Sequence, residues 1–180
     1  MTLAVHAATD SLPFWSTILA TIVGGILAIG GWFVPNAIER CQERKSVRAA
    51  LRSEIQSILA IVERRDYIRH LSNFGEAIRA GSPNFFQRRI GKDYDIVFRN
   101  NCNKLGLLSS DTAARIVRFY SLVSSVVLDI NLLQDAGEST GLQERYGLNT
   151  PAGNLAFHEE MLQLSREAFD LGNELIHQLI

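Results

Sequence analysis

Hydrophobic and polar residues are unevenly distributed along the chain. No charged residue occurs between Asp10 and Glu39, and the run Phe14–Val34 is almost wholly apolar. As a helix rising about 1.5 Å per residue, this run would extend roughly 31 Å, which matches the hydrocarbon thickness of a bilayer. Trp15 and Trp32 stand near its two ends, where amphipathic rings prefer the headgroup region. The pattern predicts one transmembrane helix near the N-terminus.

Two other interpretations of the apolar run fit less well. A buried core helix seldom lacks charge over such a length, and a cleaved signal peptide has basic residues before a shorter apolar stretch. Here no Lys or Arg precedes Arg40. We therefore assign residues 1–12 to a short extracytoplasmic segment, 13–35 to the transmembrane helix and 36–180 to a cytoplasmic helical domain.

Basic residues follow the apolar run at once. All 18 Lys and Arg residues of the chain lie at Arg40 or later. Because Lys and Arg beside a membrane helix favour its cytoplasmic end, we expect the N-terminus outside and the C-terminus inside. The first basic residues after the run are Arg40, Arg44, Lys45, Arg48 and Arg52.

Small residues recur on one side of the predicted anchor, at Ala20, Gly24, Ala28 and Gly31. In lipid such a stripe lets two helix backbones approach closely and gain packing contacts. It predicts a homo-oligomer held through the anchor. The alternative is that glycine is simply common in membrane helices.

Beyond the apolar run, hydrophobic residues recur at intervals of three and four, as they do on helices with one buried face. The first such helix is predicted from Asn36 to about Leu71. Pro35, just before it, either opens a new helix or kinks a continuous one. The apolar positions of this helix are Val47, Leu51, Ile55, Ile58 and Val62.

The rest of the chain continues this helical pattern. A short helix is predicted over 93–104 with its end at Gly106, followed by a long helix for which Ser110 is the N-cap candidate. Thr150 and Pro151 form an N-cap and first-position pair for the last helix. The predicted fold class is all-α, with one N-terminal transmembrane helix followed by an antiparallel cytoplasmic helical bundle of three long helices and one short one.

Net charge is −1, so bulk electrostatics favour no nucleic-acid partner. The charge is polarised, however, with a net +6 over residues 36–104 and a net −6 over residues 105–180. The simpler interpretation is that the two halves pack together and neutralise each other. The alternative is that the basic half faces anionic lipid.

The chemistry-bearing residues are sparse. Cys41 and Cys102 are too few and too far apart for a disulfide framework or a zinc site. Glu174 and His177 have the spacing found in di-iron bundles, but that pair would have to occur twice. We therefore predict neither a metal nor a cofactor.

A loop candidate combines aromatic and basic residues, with Phe85 and Phe86 followed by Arg88, Arg89 and Lys92. The three cations predict a site for an anion or a lipid headgroup, because guanidinium groups pair with phosphate. The alternative is that the phenylalanines close the loop onto the core.

Three segments carry a resemblance to known proteins: Ala50–Ile55 after the anchor, then Leu105–Asp111, then Arg115–Tyr120. Through them the chain resembles a broad group of uncharacterised bacterial inner-membrane proteins with one N-terminal span and a helical cytoplasmic domain. The resemblance covers most of the length, and its motifs are structural. It implies a bacterial inner-membrane location and no particular activity.

The segment Arg65–His70 resembles the Arg, polar residue, three residues, His pattern of HEPN-type ribonucleases. Some membrane-anchored accessory effectors of RNA-targeting CRISPR systems look like HEPN domains fused to one span. In that resemblance His70 would act as general acid or base on RNA, Arg65 would stabilise the charged transition state, and Asp66 would orient the imidazole. The alternative is a solvated helix end.

Two functions from different classes follow. The first is a membrane-anchored scaffold or assembly protein, self-associating through the anchor and binding a cytoplasmic protein partner; this is not an enzyme. The second is an oligomeric HEPN-like effector with ribonuclease or pore activity. The sequence favours the first.

Overall fold

The computed structural model describes the backbone of residues 12–81, 90–91 and 93–180, and the side chains of these residues except 12–17 and 26–36. Every regular element in this part is helical, which confirms the all-α class. By chain contacts it forms two compact units, Met1–Glu43 and Arg44–Ile180. The elements are α1 (Leu12–Arg64), α2 (Tyr67–Arg79), α3 (Ile96–Asn101), a 3₁₀ helix (Cys102–Leu107), α4 (Ser110–Glu138), α5 (Thr140–Arg145) and α6 (Pro151–Gln178).

Within the first unit, α1 is helical from Leu12 onward, and the helix continues through Pro35. Pro35 therefore does not separate two helices. The described side chains of this unit are largely exposed: Leu19 is 60% exposed, Ile22 53% and Val23 52%. The chain thus presents large apolar groups on a helix without covering them by its own described residues.

The helix predicted to reach Leu71 ends earlier, so that prediction is wrong in its extent. α1 stops at Arg64, and Asp66 takes a left-handed conformation, with φ 52° and ψ 41°, before α2 begins. Asp reaches this conformation more readily than most residues, because its short polar side chain can bond locally. The break redirects the chain so that Leu71 and Phe74 are buried in a second apolar cluster with Met161 of α6.

The main core of the unit Arg44–Ile180 joins α1, α4 and α6. Leu51 and Ile55 of α1, Ile116 and Phe119 of α4, and Leu175 of α6 are all fully buried in one cluster. Four of the five predicted stripe positions of α1 lie in this core, and Val62 is half-buried. Intervals of three and four place these side chains on one face of the helix, which is why the sequence pattern located them.

Helix α6 lies close to both of its core neighbours. A Cβ on Gly172 would stand 2.8 Å from Phe119 Cε2 and 3.0 Å from Leu59 Cδ2, so only glycine fits at this crossing. Polar side chains pair along the contact between α4 and α6, and the residue numbers rise on α4 as they fall on α6. These two helices therefore run antiparallel. The pairs are Thr112 with Gln178, Arg115 with Glu174, and Arg118 with Glu167.

Helix ends agree with the sequence in part. Thr150 accepts a hydrogen bond from the Gly153 amide at 3.1 Å and Pro151 opens α6, which confirms that N-cap pair. The N-cap of α4 is Ser109, one residue before the predicted Ser110. The predicted stop at Gly106 is wrong, because the 3₁₀ helix continues through it to Leu107.

Helix α4 is long and apolar enough to cross a membrane, judged by length and composition over the described residues. The core helix of a folded domain meets the same criterion. Here Ile116, Phe119 and Ile130 of α4 are buried against other helices of the unit. The predicted span over 13–35 lies partly outside the described side chains and stays a prediction.

Candidate functional site

A cavity of about 390 Å³ opens in the unit Arg44–Ile180. Its wall is mainly apolar and is contributed by α1, α2, α4, α6 and the segment that precedes α3. Such a volume lies near the lower end of the range found for small-molecule sites, about 300 to 1,000 Å³. Representative lining residues are Ile58, Val62, Val123, Val126 and Phe169.

A few polar residues also line this cavity, among them Arg65, Tyr67 and Asp93. Arg65 lies in the turn between α1 and α2, and its Nη1 donates a hydrogen bond to the Tyr67 hydroxyl at 3.1 Å. The neighbouring carboxylates are engaged elsewhere: Asp66 pairs with Arg69 at 2.6 Å, and Asp93, also at the cavity, lies 3.9 Å from Arg99. Within the described residues, Arg65 therefore has no carboxylate partner.

The wall segment before α3 is bound by α4, and α3 itself is bound by α1. The Asn131 side chain of α4 accepts a hydrogen bond from the Ile90 amide at 3.1 Å and donates one to the Ile90 carbonyl at 3.3 Å. Farther along, the Glu54 carboxylate of α1 accepts hydrogen bonds from the Val97 amide at 2.7 Å and the Phe98 amide at 2.9 Å. These contacts set the position of the cavity wall.

Glu54 also accepts a hydrogen bond from the Tyr120 hydroxyl at 2.6 Å, and the Tyr120 ring stacks on Phe98 with centroids 4.0 Å apart. Burial, followed by the hydrogen bond to Glu54, raises the pKa of the Tyr120 phenol far above its ordinary value. Tyr120 is therefore a hydrogen-bond donor to Glu54. This arrangement joins α1, α3 and α4 and performs a structural role.

His158 is 1% exposed and lies between α6 and α2, where its ring meets Phe74 edge-on at 5.0 Å. A Cβ on Gly75 would stand 2.8 Å from its Cδ2, so the glycine makes room for the imidazole. Burial lowers the pKa of His158, and the charge of Arg79 lowers it further, while the backbone of Leu71 and the charge of Glu159 oppose this. The imidazole is therefore neutral at pH 7 and packs as part of the core.

The residues predicted to be catalytic lie on the turn between α1 and α2 and in the first part of α2. Arg65 and His70 are exposed, and Asp66 is half-buried. The His70 amide donates to the Asp66 carbonyl at 3.0 Å, whereas the Asp66 carboxylate binds Arg69. No hydrogen bond between their side chains joins these three residues. The ribonuclease hypothesis stays a prediction.

The other predicted sites fall on or near the limits of the described chain. Ala20 and Gly24 are exposed, and a Cβ on Gly24 would meet nothing within 4 Å. The side chains of Ala28 and Gly31 lie outside the described residues, as does the whole of the predicted anion-binding set, Arg88, Arg89 and Lys92. In the part of the chain that is described, no three His, Cys, Asp or Glu residues are placed to hold a metal ion.

Sequence reasoning missed the cavity, Glu54 and His158. Glu54 does carry a local signal, because it lies three residues after Leu51 and next to Ile55, at the border of the buried stripe. A carboxylate at such a border must find donors from another element. Which element supplies them is not encoded near Glu54.

Comparison of the chain with protein-family models, with curated protein sequences and with solved structures finds no match. The functional interpretation therefore depends on the residues and their geometry.

Proposed function

We propose that this chain is a membrane-anchored scaffold or assembly protein of the bacterial inner membrane. In this proposal residues 13–35 span the bilayer, the N-terminus is extracytoplasmic, and residues 36–180 form an antiparallel helical bundle in the cytoplasm. Copies associate through the anchor, and the cytoplasmic bundle binds a protein partner.

The observation that carries the proposal is the exposed apolar face of the first unit. Leu19, Ile22 and Val23 are each more than half exposed on a continuous helix. Burying an exposed aliphatic side chain of this size gains about 1.5 to 3 kcal/mol. A bilayer provides that burial for a helix whose backbone groups are already paired and whose sequence lacks charge from residue 11 to residue 38.

Helix α4 is the competing candidate for a span, and its contacts argue against that role. Arg115 and Arg118 near its start pair with Glu174 and Glu167 of α6. Inserting α4 into lipid would break these pairs and expose the core around Phe119. The same residues favour α4 as the central helix of the domain.

Two of the arginines in the basic stretch, Arg48 and Arg52, bind the C-terminal end of α6. Arg52 Nε donates to the Ile176 carbonyl at 3.1 Å, and Arg48 Nη2 contacts the Gln178 carbonyl at 3.5 Å. The last carbonyls of a helix lack partners within the helix, and cations are favourable at that end. These basic residues therefore stabilise the C-terminal end of α6 in addition to setting orientation.

The test is membrane fractionation with protease protection. The full chain should remain in the membrane after an alkaline wash, with an N-terminal tag outside and a tag after Ile180 inside. A truncated chain that begins near Gln42 should be soluble and helical by circular dichroism. Release of the full chain by the wash would refute the anchor, and a cytoplasmic N-terminal tag would refute the orientation.

Self-association has its own test. Gly24→Ile together with Ala28→Ile should reduce crosslinked oligomer of the full chain, because bulky residues prevent close backbone approach. Ile22→Leu, on the side of larger residues, is the control and should leave association unchanged. Equal association in all three proteins would show that the small stripe does not form the interface.

The ribonuclease alternative predicts a different result. Arg65→Ala and His70→Ala should then abolish the cellular phenotype of the protein while the helical content by circular dichroism stays at the wild-type value. If both variants keep full function, the scaffold interpretation is favoured.

A further inference from the structure

The cavity in the unit Arg44–Ile180 has a mainly apolar wall, and one exposed cation, Arg65, also lines it. Most of its wall is aliphatic or aromatic, with Val123 and Val126 from α4 and Phe169 from α6. These three side chains are half-buried, so the apolar wall is partly open to solvent. Such a wall is suited to an apolar ligand, which would remove this surface from water.

Arg65 adds to this wall a cation with unused hydrogen-bond donors. The Arg65 guanidinium is exposed, donates one hydrogen bond to the Tyr67 hydroxyl, and has no carboxylate within ion-pair distance in the described chain. A guanidinium offers five N–H donors and matches a carboxylate in a bidentate arrangement. The nearby Asp66 is paired with Arg69, so it does not neutralise this position.

We propose that the cavity binds one single-chain amphiphile with an anionic head, a long-chain fatty acid being its chemical class. The apolar wall holds the acyl chain, and Arg65, which lines the cavity and is exposed, binds the carboxylate. A volume of about 390 Å³ suits one acyl chain and is too small for a two-chain phospholipid. The proposal extends beyond the scaffold function, and only its test in a bilayer rests on the proposed anchor.

The structure suggests why this ligand is charged at its head. A neutral long-chain alcohol would bury the same apolar surface and leave Arg65 without an anionic partner. The carboxylate adds a charge-assisted pair at an exposed site, which is worth about 1 kcal/mol or about fivefold in affinity. Charge at Arg65 therefore decides between the acid and the alcohol, and the apolar wall decides whether any chain binds.

The experiment uses the full chain in phosphatidylcholine nanodiscs with a photoreactive 16-carbon fatty acid. After illumination, labelled peptides are mapped by mass spectrometry. Labelling should fall on α4 and α6 peptides that line the cavity and should be competed by unlabelled hexadecanoate about fivefold better than by hexadecanol. Label restricted to the anchor, around residues 18–25, would overturn the proposal, as would equal competition by the alcohol.

Two matched pairs of variants separate the contribution of Arg65 from that of the apolar wall. Arg65→Gln should weaken competition by hexadecanoate about fivefold and leave that by hexadecanol unchanged, whereas Arg64→Gln, one residue away and outside the wall, should change neither. Ser165→Leu should fill the cavity and abolish labelling of α4, while Ser121→Leu on the exposed side of α4 should not.

Folding of each variant is checked by circular dichroism, and Val126→Phe is a second cavity-filling change on another helix. Loss of label in a folded filled variant supports the site. Undiminished label in folded Ser165→Leu and Val126→Phe overturns it. A photoreactive phosphatidylcholine is tested in parallel. If it labels the same peptides and hexadecanoate does not reduce that labelling, the cavity binds bilayer lipid and the proposal is overturned.

Discussion

Glu54 offers a sharp test of how the cytoplasmic unit is held together. Its two carboxylate oxygens accept three hydrogen bonds, from the Val97 amide, the Phe98 amide and the Tyr120 hydroxyl. Glu54→Gln keeps the shape but leaves one acceptor oxygen. The new amide nitrogen can donate to the phenol, yet one of the two backbone amides then loses its acceptor.

The expected cost follows from these contacts. An orphaned, partly buried N–H costs about 1 to 3 kcal/mol, and a hydrogen bond to a neutral acceptor is about 1 kcal/mol weaker than one to a carboxylate. Part of this cost is recovered, because the substitution also removes a half-buried negative charge. We expect Glu54→Gln to lower the free energy of unfolding by about 2 to 3 kcal/mol, or the melting temperature by about 6 to 10 °C.

The assay is urea and thermal unfolding of the full chain in detergent, followed by far-ultraviolet circular dichroism. Tyr120→Phe removes one donor and keeps the ring stacked on Phe98, so it should cost about 1.5 kcal/mol. The double variant with Glu54→Gln should cost about 1 kcal/mol less than the sum, because the two residues share one bond. Glu63→Gln, exposed on α1, is the matched control and should stay within about 0.5 kcal/mol of the wild type.

If Glu54→Gln lowers the free energy of unfolding no more than Glu63→Gln does, the structural role of Glu54 is refuted. If the effects of Glu54→Gln and Tyr120→Phe simply add in the double variant, the hydrogen bond between these residues is refuted. Alkaline pH gives an independent check. The raised pKa of Tyr120 means that the folded protein keeps a proton which the unfolded chain loses near pH 10. Stability should therefore fall as the pH rises above about 10, and Tyr120→Phe should reduce that fall.

Three further changes address separate parts of the same unit. Gly153→Ala should destabilise by about 2 kcal/mol in thermal unfolding, because its Cβ would stand 2.1 Å from the Gly147 carbonyl oxygen. Burial and the charge of Glu160 raise the pKa of Asp129 to about 6. Ionisation of Asp129 therefore destabilises the fold as the pH rises from about 4 through 6. Asp129→Asn should stabilise the protein by about 1 kcal/mol at pH 7, after allowance for solvent screening, and should have no effect at pH 4. The lowered pKa of His158 gives the opposite pH dependence. The free energy of unfolding should fall as the pH drops below about 6.5, and His158→Leu, unfolded at a series of pH values, should not show that fall. An unchanged pH profile in either variant would contradict the corresponding assignment.

Local patterns in the sequence were sufficient for the helical class and for much of the core. Intervals of three and four placed Leu51, Ile55 and Ile58 on one buried face, because a helix brings those positions to one side whatever surrounds it. The N-cap pair Thr150 and Pro151 was equally local, since a cap bonds to an amide only two or three residues away. The uncharged stretch that predicts the anchor is also a property of composition alone.

Tertiary structure decided where the first helix stops and what the polar residues do. Nothing near Asp66 forbids a longer helix; the break is stabilised by burial of α2 against α6, which joins Phe74 to Met161 across more than eighty residues. The bond from Tyr120 to Glu54 spans 66 positions, and no short-range pattern encodes such a pair. Arg65 also shows what is local and what is not. Its spacing from a histidine predicted a catalytic role. Its position at an apolar cavity follows instead from how four helices pack, and packing depends on contacts that are distant along the chain.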